Sequence, residues 1–212
     1  VSALPPRAID LVLWDVMDTL VADPFREVMP AFFGLSLRTL LEVKSPTAWV
    51  TFERGAIDEA TYFATAFRDG RAFDGPGFRE AMLSGAAWLP GMEALLFGLG
   101  DAEGRRPPMV ALSNYPVWFE GLDARLGLSR WLDARWVSYR TTWRKPAPEA
   151  YLGPARAYGV DPSRCLFIDD REENVAAARV LGMAGERFED AASLTRALAR
   201  YGLSAPGAAD TR

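Results

Sequence analysis

The sequence predicts an α/β protein, a doubly wound parallel sheet interrupted by an inserted helical cap. Short apolar runs, Ile9-Asp-Leu-Val-Leu-Trp14, Met109-Val-Ala-Leu112 and Cys165-Leu-Phe-Ile168, each close on polar residues, as strands do at the mouth of such a sheet. Helical patterns follow these runs, directly or at a distance, and short strands alternating with helices pair in parallel. The roughly ninety residues between the first and second runs far exceed what one crossover helix needs, so a separate segment is inserted there.

The first run leads into Trp14-Asp-Val-Met-Asp-Thr-Leu20, which places two carboxylates, Asp15 and Asp18, just outside a strand end, where open α/β sheets bind ligands. Beyond it, Pro24 to Phe33, Ser36 to Val43, Pro46 to Phe52, Asp58 to Phe67 and Gly77 to Trp88 read as helices, separated by Gly34, Gly55, Gly70 and Gly75-Pro76. Leu89-Pro90-Gly91 opens a further helix, Met92 to Leu99, that returns the chain to the sheet. The chain thus divides into a core of residues 1–22 and 89–212 and a helical cap of residues 23–88. The second run ends in Ser113-Asn114, followed by a helix over Pro116 to Leu126. The third ends in Asp169-Asp170, followed by an alanine-rich helix over Glu172 to Leu181. Trp136-Val-Ser-Tyr139 and a weak run near Gly185 to Phe188 complete the sheet. No internal repeat is visible, and the small-residue stretch Ala205 to Ala209 is expected to fray.

Composition removes several function classes. The 24 basic and 28 acidic residues give a net charge of −4 with no long basic block, which argues against nucleic acid as a partner. No apolar run reaches the roughly 18 to 20 residues of a membrane helix, and no signal-peptide pattern opens the chain, so a soluble protein with no membrane insertion is expected. The chain begins at Val1 rather than Met, which is compatible with an upstream targeting segment. There is no histidine, which excludes Ser-His and Cys-His nucleophile pairs, imidazole bases and His-ligated zinc. The single cysteine, Cys165, lies in an apolar run and reads as a small buried hydrophobe.

The chemistry must therefore run on carboxylates, lysine, hydroxyls and a hard metal. In a parallel sheet all C-terminal strand ends share one edge, so Asp15 with Thr19, Ser113-Asn114, Lys145 in Arg144-Lys-Pro-Ala-Pro-Glu149, and Asp169-Asp170 converge on one crevice. That set fits phosphoryl transfer through an aspartyl nucleophile. Asp15 attacks phosphorus, Ser113 and Lys145 hold the equatorial oxygens, and magnesium, bound by Asp15 and the Asp169-Asp170 pair, screens the carboxylate from the phosphate dianion. Asn174, on the following helix, either orients loop or metal groups or faces solvent.

These four strand-end motifs, in order and with a helical insert after the first, resemble the haloacid dehalogenase superfamily over nearly the whole chain. Pro30-Ala-Phe-Phe-Gly34, Thr47-Ala-Trp-Val-Thr-Phe-Glu-Arg-Gly55, Arg68-Asp-Gly70 and Ser113-Asn-Tyr-Pro116 further resemble the plant chloroplast flavin mononucleotide (FMN) hydrolase group. The resemblance implies a Rossmann-like core with a cap and removal of phosphate from FMN or another small phosphate ester. It implies phosphate contacts from Ser113, Asn114 and Lys145, and a chloroplast location. It also implies magnesium held by Asp15, the Met17 backbone carbonyl and Asp170, with Asp169 more remote.

One position departs from the superfamily pattern. Its phosphatases usually read Asp-x-Asp-x-Thr, and Thr19 places the second acid at Met17. A thioether neither protonates a leaving oxygen nor activates water, and losing such assistance typically costs on the order of 10²- to 10⁴-fold in rate. Asp18 either turns inward as the replacement acid, which would make it catalytic with Asp15 and Lys145, or caps its own turn. The cap aromatics Phe32, Phe33, Trp49, Phe52, Tyr62 and Phe63 either stack a flavin ring or form core. Two other functions stay open. One is a weakly active subunit of a larger assembly, suggested by Met17. The other is carbon–halogen hydrolysis, which the acidic pair Asp169-Asp170 argues against.

Overall fold

The structure, a computed structural model, describes residues 9–100 and 104–204. Strand β1 (Leu11–Trp14) is followed by the short β2 (Val21–Ala22). A 3₁₀ turn at Pro24–Arg26 then precedes five helices: α1 (Val28–Phe33), α2 (Leu37–Val43), α3 (Ala48–Glu53), α4 (Glu59–Thr65) and α5 (Gly75–Gly85). Strand β3 (Ala87–Trp88) and helix α6 (Met92–Gly98) return to the sheet. The remaining strands and α-helices are β4 (Met109–Ser113), α7 (Phe119–Leu126), β5 (Ala134–Val137), α8 (Ser138–Thr141), α9 (Pro148–Ala157), β6 (Cys165–Asp169), α10 (Glu172–Val180), β7 (Ala184–Arg187) and α11 (Ala191–Ala199).

Five parallel strands lie in the order β5-β4-β1-β6-β7. The central strand is buried on both faces: Leu11 and Leu13 pack with Phe167, Tyr151 and Val175 on one side, whereas Val12 and Trp14 join the larger cluster on the other. Covering both faces is what lets these strands read as continuous apolar runs rather than alternating ones.

The insert follows local rules. Ser36, Asp58 and Asp74 each accept a hydrogen bond from a first-turn amide of α2, α4 and α5, the usual N-cap stabilisation of about 1 kcal/mol apiece. Gly34 ends α1 at φ 62°, a conformation that costs glycine little. The cap aromatics Phe32, Phe33, Phe52, Tyr62 and Phe63 pack with one another and with Phe67, Phe73, Phe78 and Trp118 at ring separations of 4.7 to 6.2 Å. They form core, and one continuous apolar cluster runs from the sheet through the inserted helices.

Several expected boundaries move. The helix expected from Pro24 to Phe33 divides into the 3₁₀ turn and α1. Gly75 and Pro76, read as a separator, are the first residues of α5, where Asp74 caps and proline suits the first turn. That helix stops at Gly85 because Ala87 and Trp88 pair antiparallel with Ala22 and Val21. The strand expected over Trp136–Tyr139 lies at Ala134–Val137, and Ser138 opens a helical turn, its hydroxyl bonded to the Glu53 carbonyl. Helices α9 and α11 were not anticipated. The stretch from Ala205 to Ala209 lies outside the described residues. Among the described residues, no helix is long and apolar enough to cross a membrane.

Candidate active site

Three strand ends meet at the C-terminal edge of the sheet: Asp15 after β1, Ser113 at the end of β4 and Asp169 at the end of β6. Lys145, in the loop between α8 and α9, reaches the same point. Its Nζ donates to Asp15 Oδ1 at 2.6 Å and to Asp169 Oδ2 at 2.7 Å. All three side chains are buried. Burial alone would push the ammonium down, but the Asp15 and Asp169 carboxylates outweigh it and hold Lys145 above its ordinary value. Lys145 is therefore a fixed positive charge.

The lysine is itself held from behind. Asn114 accepts the Lys145 N–H on Oδ1 at 2.8 Å and donates from Nδ2 to the Lys145 carbonyl at 2.9 Å. The Asn114 side chain thus positions Lys145, and any contact to phosphate falls to its backbone. Asn174, buried rather than facing solvent, donates from Nδ2 to both Asp169 oxygens at 3.0 Å, and the Arg171 amide donates to Asp169 Oδ1 at 2.8 Å. Asp169 is engaged on both oxygens.

The other carboxylates are less constrained. Asp15 Oδ2 takes a single long contact, 3.4 Å, from the Thr19 hydroxyl, and that hydroxyl accepts the Asp170 amide at 3.1 Å. Thr19 therefore ties the two strand ends together. Burial raises the Asp15 carboxyl, Lys145 pulls it back, and the Asp169 charge raises it again. Burial and the neighbouring Asp169 and Asp18 charges push Asp170 up to about 6. Ligand oxygens of Asp15, Asp169 and Asp170 lie within 4.8 Å of one another. Three carboxylates against one ammonium leave a deficit of positive charge, and the donors are all hard oxygens, so the site fits a divalent cation of the magnesium or calcium type. The Met17 carbonyl accepts no backbone hydrogen bond in its turn, where Val16 accepts those of Thr19, Leu20 and Val21.

Asp18 sits in that turn at φ 56°, and its Oδ1 accepts the Asp23 amide at 2.9 Å. Its carboxylate is exposed at the rim. This is the turn-capping arrangement that the sequence left open beside the catalytic one.

A cavity of about 440 Å³ opens over these groups, within the roughly 300 to 1,000 Å³ range of small-molecule sites. Its floor carries Asp15, Ser113, Lys145 and Asp170. Its far wall comes from the insert and includes Asp23, Phe25, Trp49 and Glu53. Of the six cap aromatics named from sequence, Trp49 alone lines it. Sequence reasoning missed Asp23, Phe25, Tyr115 and the Glu53–Arg144 ion pair, in which Arg144 Nε lies 2.7 Å from a buried Glu53 oxygen. Arg144 adjoins the lysine motif and Glu53 falls in the Thr47–Gly55 segment, both usable signals; their pairing has none, because it spans 91 residues.

A doubly wound sheet with a lysine-bridged acidic site at its C-terminal edge defines an α/β enzyme. A sequence model of the haloacid dehalogenase-like hydrolases matches residues 9–182, and the chain belongs to that family. It is 42% identical over 198 residues to the chloroplastic flavin mononucleotide hydrolase 1 of Arabidopsis thaliana, covering 93% of this chain and 80% of the relative. Against a fructose-1-phosphate phosphatase of Escherichia coli the identity is 36% over 80 residues, 38% of this chain and 43% of the relative. A haloacid dehalogenase family enzyme from Bacteroides thetaiotaomicron, solved with magnesium, shares the fold at a TM-score of 0.71 and 20% identity, over 90% of this chain and 98% of that one.

Proposed function

We propose that this hydrolase is a magnesium-dependent phosphomonoesterase that removes phosphate from FMN through an aspartyl-phosphate intermediate, and that it works in the chloroplast. The supporting observation is the Lys145 bridge, which fixes Asp15 by one oxygen and leaves Oδ2 nearly free. Asp15 Oδ2 attacks phosphorus, while Lys145 and the Ser113 hydroxyl, which forms no side-chain hydrogen bond to another described residue, hold the phosphoryl oxygens. Asp15, Asp170 and the Met17 carbonyl hold magnesium, which when bound screens the attacking carboxylate from the phosphate dianion. Asp169 orients Lys145 instead of reaching the metal first, because both its oxygens are already engaged.

The FMN assignment rests on the Arabidopsis relative and on the cavity wall. In this reading residues 23–88 form the cap, and Phe25 and Trp49 give it flat apolar surfaces suited to a fused ring. The open cavity also favours an enzyme over a silent assembly subunit, and the acidic cluster disfavours a halide site. Phosphate release from FMN by the purified chain tests the proposal. The expected result is turnover that needs magnesium and disappears in Asp15→Asn. A folded parent that is inert toward FMN but active on other phosphate esters would remove the FMN assignment, and one inert toward every ester would remove the phosphatase reading.

A further inference from the structure

We propose that the carboxyl group of Asp23, the first residue of the insert, is the proton donor and acceptor that Met17 cannot be. This inference rests on the phosphatase reading of the site.

The placement follows from the topology. In an in-line displacement the leaving oxygen departs on the side of phosphorus away from Asp15, which here is away from the sheet edge and toward the inserted helices. Asp169 and Asp170, which complete the acidic triad with Asp15, lie at the end of β6, on one flank of β1. Asp23 follows β2, whose partner β3 is tied to the opposite flank, where Trp88 Nε1 donates to the Leu126 carbonyl at the end of α7. Asp23 thus lines the same cavity as Asp15, on the wall that the insert contributes.

Its bonding leaves a functional atom available. Asp23 Oδ1 accepts the Phe25 amide at 2.9 Å, which fixes the carboxyl plane, and Oδ2 takes no hydrogen bond from the described residues. Burial first, then the Asp18 charge, raises the Asp23 carboxyl; the Phe25 amide and Arg26 oppose this without cancelling it. A raised carboxyl keeps the protonated form accessible. Asp18 is the poorer donor: it is exposed, and its Oδ1 is occupied by the Asp23 amide. Tyr115 also lines the cavity, but its unpartnered hydroxyl is buried behind the surface, so the position of Asp23 carries the argument. Burial and then the Asp23 charge raise the Tyr115 phenol, which stays neutral.

The proton count balances. As Asp15 Oδ2 forms its bond to phosphorus, the bond from phosphorus to the ester oxygen breaks. Its electron pair stays on that oxygen, which takes the Asp23 proton and leaves as an alcohol. Asp23, now a carboxylate, accepts a proton from water as the water oxygen attacks phosphorus. The bond to Asp15 breaks, inorganic phosphate leaves, and Asp23 is again protonated.

An alkyl ester such as FMN needs the donated proton, whereas a nitrophenyl ester does not; both need the base for the second step. Asp23→Asn keeps the cap on Phe25, since asparagine caps as well as aspartate. With magnesium present, the variant is expected to lose about 10²- to 10⁴-fold on FMN. On nitrophenyl phosphate it should release one equivalent of nitrophenol at close to the parent rate and then turn over slowly. Asp18→Asn should change the two esters in parallel, with no burst. Equal loss on both esters without a burst in Asp23→Asn, parent-like rates on both, or the burst pattern in Asp18→Asn would each overturn the role of Asp23 while leaving the phosphatase reading intact. A folded parent inert toward both esters would overturn the two together.

Discussion

The two walls of the cavity are built on different principles. On the sheet side, Asp15, Lys145 and Asp169 form a buried, cross-bonded unit in which each group fixes the next. On the insert side Glu53 is buried and paired with Arg144, whereas Asp23, Phe25 and Trp49 are half-buried and make few polar bonds. The rigid wall suits the chemistry common to phosphate esters, where a misplaced nucleophile is costly. The looser wall suits discrimination among the groups that carry the phosphate.

The largest effect should follow from breaking the rigid wall. Lys145→Ala strips the ammonium from two buried carboxylates, and removing one partner of a buried ion pair typically costs about 3 to 5 kcal/mol. The variant should melt well below the parent, and the phosphatase reading adds loss of activity even where it is folded. A parent-like melting temperature would mean that the bridge contributes no rigidity.

The next effect separates the adjacent acids. Asp169→Asn disturbs Lys145 and should lower thermal stability, whereas Asp170→Asn touches no side-chain hydrogen bond and should leave stability nearly unchanged. Magnesium titration should show the reverse order, with weaker binding in Asp170→Asn. Equal behaviour of the two variants in both measurements would contradict the division of roles.

The smallest effect concerns the seam between the walls. Burial holds Glu53 above its ordinary value of 4.5, and Arg144 only partly offsets this. A carboxyl raised in the folded state binds its proton more tightly there than in the unfolded chain. Its contribution to stability is present below the unfolded value and lost as the pH rises through the folded one. Relative to Glu53→Gln, the parent should therefore lose stability as the pH increases from just below 4.5 toward neutrality. Parallel melting curves for the two proteins over that interval would remove the argument.

The rigid wall was also the legible one. Asp15, Ser113, Lys145 and Asp169-Asp170 occupy strand ends or a short motif, and a parallel sheet brings such positions together whatever the loops do. Lys145 was expected to hold phosphate; its bridge between two carboxylates is a three-dimensional fact that spacing does not carry. The insert was legible as helices but not as a surface, because its aromatic residues have the same spacing whether they form core or line a cavity. Phe52 and Trp49 lie on one helix, yet the first is buried and the second reaches the cavity. The ribbon of β2 and β3 was invisible because two-residue strands leave no periodicity. Asp23 looked like an ordinary residue before a proline-led turn, and its place in the cavity depends on that ribbon.

In the proposed reaction Asp15 carries the phosphoryl group. Acid-quenching the parent and Asp23→Asn during turnover of nitrophenyl phosphate with magnesium, and measuring the mass of the peptide that contains Asp15, reveals this intermediate. A fraction of that peptide is expected to be heavier by one phosphoryl group, absent in Asp15→Asn and enriched in Asp23→Asn, where the second step is slowed. Turnover with no such adduct in either the parent or Asp23→Asn, and inversion at a chiral phosphorus as direct attack by water requires, would instead exclude phosphoryl transfer to Asp15.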